Sequence, residues 1–559
     1  MSNFTHTKYR PFPVINKPDR RWPSQQITAA PLWCAVDLRD GNQALIEPMN
    51  VAQKQRMWTL LVKLGFKQIE IGFPSASQPD YDFCRWLIEE NQIPDDVTIQ
   101  VLVQARDALI DRTYEAVTGA KQVIVHVYNS TSPVQRKKVF NVDRTGIIEI
   151  ARNGVQKVKD KAASFPDTQW TFEYSPESFS LTETDFSIEI CNAVLDVWQP
   201  TPDNKVIFNL PATVECATPN VFADQIETFC DNVNMRDSVI VSVHTHNDRG
   251  CGVAAAELAV MAGADRVEGT LMGNGERTGN MDIVTMAMNL YSQGVDPKLD
   301  LSNADEITRV VTECTQIATH PRHPWVGELV YTAFSGSHQD AIKKCLALQD
   351  DGEPWDVAYL PINPADLGRD YQSVIRVNSQ SGKGGVAYIL EQTYGLQMPR
   401  WMQIEAARKV QAHAEEESIE VSPAQIWEII ESAFMAGNKP KDYYLNAYTL
   451  NRSEQQESIS VDFTVDGKHI ETQGQGDGAL AAFCKAITHA VGFPVEIIHY
   501  DQHAVGEGSD AYAVAYVQVK IGGQRFNGIS KDKDTISANL NAILVCVNQA
   551  LANGLAQTA

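Results

Sequence analysis

Two histidines one residue apart, His244 and His246, end a run of β-branched residues. Alternate residues of a strand point to the same face, so both imidazoles are expected to face one cavity, where together they could bind a metal ion. A His-x-His pair taken alone is more often structural, with one ring in the core and the other in solvent. The interpretation therefore depends on the groups that the rest of the chain brings to the same place.

The chain around this pair alternates short β-rich runs with amphipathic stretches of helix length. Strands are predicted at 32–36, 68–71, 98–103, 121–127, 169–174, 205–210, 238–243 and 265–269. Helices are predicted at 51–64, 81–90, 107–118, 144–163, 183–197, 219–232 and 252–262. This rhythm predicts an α/β fold, the (β/α)8 TIM barrel, because a doubly wound open sheet usually has fewer strands.

A TIM barrel places its reactive side chains at the C-terminal ends of the strands, where the loops form one mouth. Polar residues follow most of the predicted strands, and the candidates are Arg39, Asp40, His126, Glu173, Thr213, His244, His246 and Asn280. Each has an ordinary explanation on its own, such as a helix cap for Thr213 or a surface ion pair for Glu173. Their shared placement favours a functional site.

A metal site can be assembled from these groups. Strands 1, 7 and 8 are neighbours in a closed barrel, so Asp40 can approach His244 and His246, and Asn280 can add an amide oxygen. Two nitrogens and two oxygens with open positions suit Mg²⁺, Mn²⁺ or a catalytic Zn²⁺. Two histidines and a carboxylate also match a non-haem iron oxygenase, which is usually built on another scaffold.

Arg39 adjoins Asp40, so its guanidinium is expected to face an oxyanion in the mouth while the carboxylate binds the metal. The alternative is that Arg39 only neutralises Asp37 or Asp40. A 2-oxo acid could chelate the metal through a carboxylate oxygen and its ketone oxygen, which would prepare the carbonyl for carbon–carbon bond formation or cleavage. The glycine-rich segment 273–280 resembles a phosphate cradle but lacks the Walker lysine, which disfavours nucleotide hydrolysis.

The composition narrows the class of protein. The 559 residues include 47 Lys and Arg against 70 Asp and Glu, and the net charge of −23 disfavours nucleic-acid or anionic-membrane partners. The 10 cysteines form no C-x-x-C pair, which argues against a disulfide framework and a cysteine-rich zinc module. No apolar run reaches the roughly 18 residues of a membrane-spanning helix. A soluble, cytoplasmic protein is expected.

Three motifs in the same order resemble the signatures of the DRE-TIM Claisen-condensing enzymes: DLRDGNQ at 37–43, HTHNDRG at 244–250 with AGAD at 262–265, and GNGER at 273–277. The similarity runs from about residue 31 to the end of the chain and points to the long, leucine-regulated branch of that family. Ala256-Glu257 stands where many relatives have Ala-Asn, which we interpret as subfamily variation.

The resemblance implies condensation of acetyl-CoA with 3-methyl-2-oxobutanoate and water to give 2-isopropylmalate and CoA, the first committed step of leucine synthesis. It implies metal ligation by Asp40, His244 and His246 with Asn280 close by. Arg39 would stabilise the alkoxide. The oxo acid would contact Glu173 and Thr213, with His126 a weaker candidate for the same pocket.

The resemblance also implies that His338 and Tyr359, after the barrel, complete the site. A base must remove a proton from the acetyl methyl group, and we expect His338, assisted by Glu173, to do so. The family interpretation makes the region around them a linker that places these residues over a partner subunit's barrel, so a homodimer is expected. From the sequence alone the region could equally be a lid.

Residues from about 455 onward contain one unit twice: a hairpin at 461–470 before a helix at 479–490, and a hairpin starting at 516 before a helix at 535–551. This predicts a small α+β domain with pseudo-twofold symmetry. Backbone amides near a helix start could bind an amino-acid carboxylate, at Gly474, Gly476, Gly478 and Ala479. The resemblance makes leucine feedback the expected use, and the alternative is that the domain only dimerises.

The expected organisation has four parts: an N-terminal arm at 1–30, the TIM barrel at 31–327, a mostly helical linker region at 328–450 and the regulatory domain at 451–559. Helices are predicted in the linker at 403–417 and 423–436.

Four alternatives remain. Citramalate and homocitrate synthases share the metal site and differ in the side-chain pocket, which the sequence does not reveal; the repeated C-terminal unit disfavours homocitrate synthase. A lyase of 3-hydroxy-3-methylglutaryl-CoA is disfavoured because such chains end soon after the barrel and carry a reactive cysteine loop. A catalytically idle amino-acid sensor is disfavoured by the complete set of polar groups at the mouth.

Overall fold

The computed structural model describes residues 4–350, 352–369, 383–417, 421–435, 442–452, 456–506 and 510–554. The chain divides into two units, Met1–Val330 with Asp366–Gly368, and Tyr331–Ala365 with Arg369–Ala559.

The first unit is built on eight parallel strands that close into a barrel, each paired with the next and β8 paired with β1. The strands are β1 (Leu32–Ala35), β2 (Gln68–Gly72), β3 (Thr98–Gln104), β4 (Gln122–Ser130), β5 (Gln169–Glu177), β6 (Val206–Ala212), β7 (Val239–Thr245) and β8 (Arg266–Gly269). The predicted TIM barrel is confirmed. β4 and β5 continue to Ser130 and Glu177, beyond their predicted ends at 127 and 174.

Helices follow the strands as the amphipathic pattern predicts. They are α1 (Val51–Leu64), α2 (Gln78–Glu89), α3 (Asp107–Val117), the short α4 (Pro133–Gln135), α5 (Arg144–Ala163), α6 (Thr184–Trp198), α7 (Pro219–Asn232), α8 (Gly252–Met261), α9 (Ile283–Tyr291) and α10 (Ala304–Thr315). Local signals fix their ends. Asn50 and Gln53 cap α1 reciprocally, and Gly65 ends it with a φ of 100° that favours glycine.

The N-terminal arm packs against α7 through charged contacts. Arg20 donates two hydrogen bonds of 2.7 Å to the Asp224 carboxylate. The Trp22 indole also donates to Asp224, at 2.9 Å, and Lys17 donates to Asp231 at 2.7 Å. The arm therefore covers the outside of the barrel of its own chain.

The described part of the second unit begins with the helices α11 (Gly336–Leu346), α12 (Lys383–Tyr394), α13 (Arg400–Glu417) and α14 (Pro423–Ile430). A wider helical turn at Glu431–Met435 continues α14. The two helices predicted here are present, and residue 436 lies outside the described residues. An apolar core joins α12, α13 and α14 to Val514, Tyr516 and Ile529. These helices therefore share a core with the C-terminal sheets.

The C-terminal part contains two antiparallel sheets of three strands, each followed or covered by a helix. The first has the order β11-β10-β9, with β9 (Tyr444–Arg452), β10 (Glu457–Val465), β11 (Lys468–Gly476) and the helix α15 (Ala479–Val491). The second has the order β12-β13-β14, with β12 (Glu496–Val505), β13 (Tyr512–Ile521), β14 (Gln524–Asp532) and the helix α16 (Thr535–Ala552). The predicted repeated α+β unit is confirmed, and each copy has one strand more than predicted.

Among the described helices, α16 is long and apolar enough to cross a membrane by length and composition alone. Most of it is buried, and it packs on β13 and β14 within the apolar core of the C-terminal sheets. A buried core helix meets the same criteria, so α16 is accounted for by packing.

Candidate active site

Asp40, His244 and His246 converge at the C-terminal mouth of the barrel, with their ligand atoms within 4.8 Å of one another. Asp40 lies in a wide helical turn after β1, His244 is on β7, and His246 follows β7 directly. The Asp40 Oδ2 atom is 3.4 Å from His244 Nε2 and 3.9 Å from His246 Nε2. The neighbouring strands β1, β7 and β8 thus bring these groups together.

Unpaired polar atoms indicate that this cluster fits a cation. Asp40 Oδ2 and Asn280 Oδ1 are buried and have no hydrogen-bond partner within the described part of the chain. Asn280 lies opposite His246, and its Nδ2 donates to the Asn274 carbonyl at 3.0 Å. Buried polar atoms without partners are costly, and a bound divalent ion would satisfy them. Nitrogen and oxygen donors in this mixture fit Mg²⁺, Mn²⁺ or Zn²⁺.

The charges of the cluster are unequally distributed. Burial opposes ionisation of Asp40, but Arg39 and His244 hold the pKa of that carboxyl well below its usual range. Burial acts against protonation of His244, yet its contacts with Asp40 and Glu268 raise the pKa of His244 to about 10. Burial and the neighbouring His244 lower the pKa of His246 to about 4, so His246 is neutral, which is the form that binds metals.

Arg39 is held by two carboxylates. Its Nη1 donates to Asp40 and its Nε donates to Glu70. Arg39 therefore pairs with Asp40, as the alternative in the sequence analysis had it, and its contact with an oxyanion stays a prediction. Arg39 still lines the cavity at the mouth, so its positive charge acts there.

A cavity of about 200 Å³ opens beside the cluster. Six of the predicted residues line it: Arg39, Asp40, His126, Thr213, His244 and His246. The others in its wall are Gln43, Phe73, Leu102, Tyr128, Ser175, Glu177, Asn209, Pro211, Glu276 and Arg277. The polar residues predicted at separate strand ends therefore share one cavity.

His126 and Thr213 are both fixed within the wall. His126 Nδ1 contacts Glu70 Oε1 at 2.8 Å, and its Nε2 contacts the Ser175 hydroxyl at 2.7 Å. Thr213 Oγ1 accepts a hydrogen bond of 3.0 Å from the backbone amide of Ser178. Both side chains line the cavity, and their contact with a substrate stays a prediction.

Glu173 is not part of the cavity wall. It is fully buried, with Oε1 3.6 Å from His126 Nε2 and Oε2 3.4 Å from Arg266 Nη2. Burial raises the pKa of Glu173 to about 8. This position does not fit the expected direct contact with an oxo acid. Glu177, which the sequence analysis missed, is the β5 carboxylate in the wall.

Glu177 and Ser175 could have been found from the strand period. Residues 173, 175 and 177 point to the same face of β5, and the predicted strand ended too early, at 174. Glu177 accepts a hydrogen bond from the Ser130 hydroxyl, at the end of the paired strand β4. Asn209, on β6, was missed for another reason: it lies inside a run of apolar residues.

His338 and Tyr359 belong to the second unit. Their rings stack, with centroids 4.0 Å apart and an interplanar angle of 27°. Tyr359 is 60% exposed, although it is a large aromatic residue. A stacked, accessible pair of this kind is available for contact with a ligand, and its role in the site stays a prediction.

The four predicted regulatory residues fall into two pairs. Gly474 and Gly476 lie in β11, where a Cβ would come within 2.1 Å of the Ala482 carbonyl oxygen and 2.6 Å of the Ala482 nitrogen respectively. These two glycines allow β11 to pack closely on α15. Gly478 precedes α15 and Ala479 begins it, so this second pair stands at the helix N-terminus.

Three family models match successive parts of the chain. The HMGL-like model matches residues 30–311. The model of the alpha-isopropylmalate synthase post-catalytic domain matches residues 328–391, and that of the LeuA allosteric (dimerisation) domain matches residues 420–551.

Relatives are similar to this chain over nearly its whole length. A 2-isopropylmalate synthase of Alcanivorax borkumensis is 56% identical over 98% of both chains. That of Pseudomonas savastanoi pv. phaseolicola is 54% identical over 99% of this chain and 98% of its own, and that of Pseudomonas syringae pv. tomato is 53% identical over 100% of both. With a closed barrel, a candidate metal cluster at its mouth and these relatives, the chain belongs to the 2-isopropylmalate synthase family.

Proposed function

We propose that this protein condenses acetyl-CoA with 3-methyl-2-oxobutanoate and water to give 2-isopropylmalate and CoA, as the first committed step of leucine synthesis. By its family the chain is an enzyme of the transferase class. The observation that carries the proposal is the convergence of Asp40, His244 and His246 beside Arg39 in one cavity.

In this proposal Asp40, His244 and His246 hold a divalent metal ion, with Asn280 Oδ1 as a further donor. Mg²⁺, Mn²⁺ and Zn²⁺ all suit these donors. A metal bound here supplies a Lewis acid that polarises the ketone of the oxo acid. The unpaired buried oxygens of Asp40 and Asn280 support this assignment.

The residues of the wall orient the oxo acid. Arg39 places positive charge next to Asp40, where it stabilises the negative charge that develops on the ketone oxygen. Thr213 and His126 contact the oxo acid from the side of β4 and β6. Glu177 replaces Glu173 in our proposal as the β5 carboxylate that reaches the substrates.

The base is His338, with Tyr359 beside it. The His338 imidazole takes a proton from the acetyl methyl group, and the resulting enolate attacks the ketone carbon to form the new carbon–carbon bond. The alkoxide is then protonated to the tertiary alcohol. Water adds to the thioester and CoA leaves as the thiol, which gives the second carboxylate.

Leucine feedback, a homodimer and a cytoplasmic location belong to the same proposal. The match to the LeuA allosteric (dimerisation) domain supports the first two. The amides at the start of α15, at Gly478 and Ala479, are the candidates for binding the leucine carboxylate.

A panel of 2-oxo acids tests the proposal. The purified enzyme is assayed for release of CoA thiol from acetyl-CoA, with and without leucine and with each divalent metal. We expect the highest kcat/KM for 3-methyl-2-oxobutanoate and inhibition by leucine. Preference for pyruvate would indicate a citramalate synthase, preference for 2-oxoglutarate a homocitrate synthase, and absence of thiol release with every acid a sensor without catalysis.

A further inference from the structure

Glu268 of β8 lies inside the barrel and receives hydrogen bonds on both of its oxygens. Its Oε2 contacts His244 Nδ1 and Asn209 Nδ2, both at 2.9 Å. Its Oε1 accepts from Gln100 Nε2 at 2.9 Å and from Arg266 Nη1 at 3.0 Å. Glu268 is fully buried, so these contacts determine its orientation.

The donors around Glu268 indicate which nitrogen of His244 carries the proton. Asn209, Gln100 and Arg266 all donate to the Glu268 oxygens, so both oxygens act as acceptors. In the contact with Oε2, His244 Nδ1 is therefore the donor. His244 Nε2 then faces the cavity, 3.4 Å from Asp40 Oδ2.

We propose that Glu268 is a positioning residue for the metal centre, one that fixes the tautomer and the ring orientation of His244 so that Nε2 presents its lone pair to the metal. This inference rests on the metal site of the proposed function. Partners of this kind behind a metal-bound histidine raise its basicity as well as orienting it.

Arg266 holds the Glu268 side chain in position. Its side chain is 0% exposed, and besides Glu268 it donates to Gln68 Oε1 and Gln100 Oε1 at 2.6 Å and to the Ser242 hydroxyl at 2.8 Å. A buried charge needs a partner, and Arg266 supplies it for Glu268. Arg266 therefore holds the Glu268 carboxylate through contacts that involve none of the proposed metal ligands.

Glu173 is a matched control inside the same barrel. It is as buried as Glu268 and also contacts Arg266, at 3.4 Å. Neither of its oxygens has a hydrogen-bond partner within the described residues. Its carboxylate lies within 4.8 Å of ligand atoms of His126 and Glu268, and neither of these is a proposed metal ligand. A change of the Glu173 carboxylate should leave His244 untouched.

The replacement Glu268→Gln tests the inference because it preserves shape and removes the second acceptor. Arg266 and Gln100 both donate to Oε1, so the amide oxygen is expected on their side. The amide nitrogen would then face His244 Nδ1, which favours the tautomer with the proton on Nε2. A proton on Nε2 blocks the lone pair that binds the metal.

The measurement is Mn²⁺ affinity of the full-length, chelator-treated protein, from the electron paramagnetic resonance signal of free Mn²⁺. We expect Glu268→Gln to raise the Kd about 10- to 100-fold, and Glu173→Gln to leave it unchanged. Pulsed spectra of the bound ion should show an altered nitrogen coupling in Glu268→Gln only. Wild-type affinity in Glu268→Gln, or an equal loss in Glu173→Gln, overturns the inference.

A second variant, Glu268→Asp, guards against misfolding. It keeps a negative charge for Arg266, but the shorter side chain withdraws from His244, so weaker Mn²⁺ binding is expected; normal binding would contradict the inference. If the wild-type protein binds no divalent cation, the metal site of the proposed function fails together with this inference. If the wild type binds Mn²⁺ and Glu268→Gln binds it equally well, only the role of Glu268 fails.

Discussion

Glu177 lies four residues after Glu173 on the same face of β5, yet only Glu177 lines the cavity. Glu173 is in register with His126 and Glu177 with Ser130, so the two carboxylates differ in depth along the barrel by about 13 Å of strand. The deeper one contacts Arg266, and the outer one lines the cavity. Depth along the strand therefore separates a carboxylate buried inside the barrel from one in the cavity wall.

The first prediction compares these two carboxylates. Glu177→Gln should lower kcat/KM for the condensation at least about tenfold, or about 1.4 kcal/mol, because it removes a negative charge from the cavity. Glu173→Gln should have a much smaller effect, because burial already favours the neutral form of Glu173 at pH 7. Steady-state assays of thiol release measure both. A larger loss of kcat/KM in Glu173→Gln would assign the functional role to Glu173 instead of Glu177.

The second prediction concerns the metal. Asp40→Ala removes a proposed ligand, and its Mn²⁺ affinity should fall by more than about 100-fold, since even residues behind the ligands cost 10- to 100-fold. Isothermal titration of the metal-free enzyme measures the Kd. Gln43→Ala is the control, because Gln43 lines the same cavity outside the ligand group. Unchanged affinity in Asp40→Ala would exclude Asp40 as a ligand.

The third prediction assigns the base. His338→Ala should lower kcat by about 10²- to 10⁴-fold, the usual contribution of a general base, while the Kd of the oxo acid changes little. Rapid-quench or steady-state kinetics give kcat, and calorimetry with 3-methyl-2-oxobutanoate gives the Kd. Retained turnover in His338→Ala would remove His338 from this role and make a carboxylate of the cavity wall the next candidate.

The barrel could be predicted from the sequence because its strands and helices have clear and different periods. The sequence signals for the ends of the strands were weaker than those for the strands themselves. β5 continues through Pro176, past its predicted end, and the pairing of β5 with β6 stops at Tyr174, so the missing amide hydrogen of Pro176 costs no bond to β6. The error of three residues concealed Glu177.

The residues behind the site, inside the barrel, could not be predicted from the sequence. Arg266 and Glu268 alternate along β8 as polar residues usually do on an exposed face, yet both point into the barrel and neutralise each other. Only the closure of the barrel brings Gln100 and Asn209 to the same place. Strands β9 and β12 were not predicted, because most of their residues are polar or exposed.

The fourth prediction concerns pH and stability. A hydrogen bond from Arg136, helped by Arg144, lowers the pKa of Glu183 to about 2 from its ordinary 4.5. A carboxyl whose pKa is lower in the folded state stabilises the fold above pH 4.5, and this contribution is lost as the pH falls toward 2.

The wild type should therefore have a higher unfolding midpoint in urea than Glu183→Gln at pH 7, and the difference should shrink below pH 4.5. Asp185→Asn is the control, because Asp185 is 73% exposed and contacts only Arg144 among the described salt bridges. A difference between wild type and Glu183→Gln that grows as the solution is acidified would contradict the assignment of this ion pair.

The fifth prediction concerns the packing of β11 on α15. Gly474→Ala would place a Cβ 2.1 Å from the Ala482 carbonyl oxygen and 2.5 Å from the Ala486 nitrogen, so the helix or the strand must shift. Overpacking of this kind usually costs about 1–3 kcal/mol. Gly478→Ala is the matched control, because a Cβ at Gly478 meets no atom within 4 Å and its φ of −170° suits any residue.

Thermal unfolding followed by circular dichroism compares the two variants. Gly474→Ala should unfold at a lower temperature than the wild type, whereas Gly478→Ala should unfold close to the wild-type temperature.

Deletion of the domain from residue 451 onward is a less specific experiment than these point substitutions. The deletion cuts β9 and exposes the apolar side chains of α12, α13 and α14 that pack on β13 and β14. A Gly474→Ala protein as stable as the wild type would show that α15 can move away from β11 at no cost, and would exclude close packing as the reason for glycine at this position.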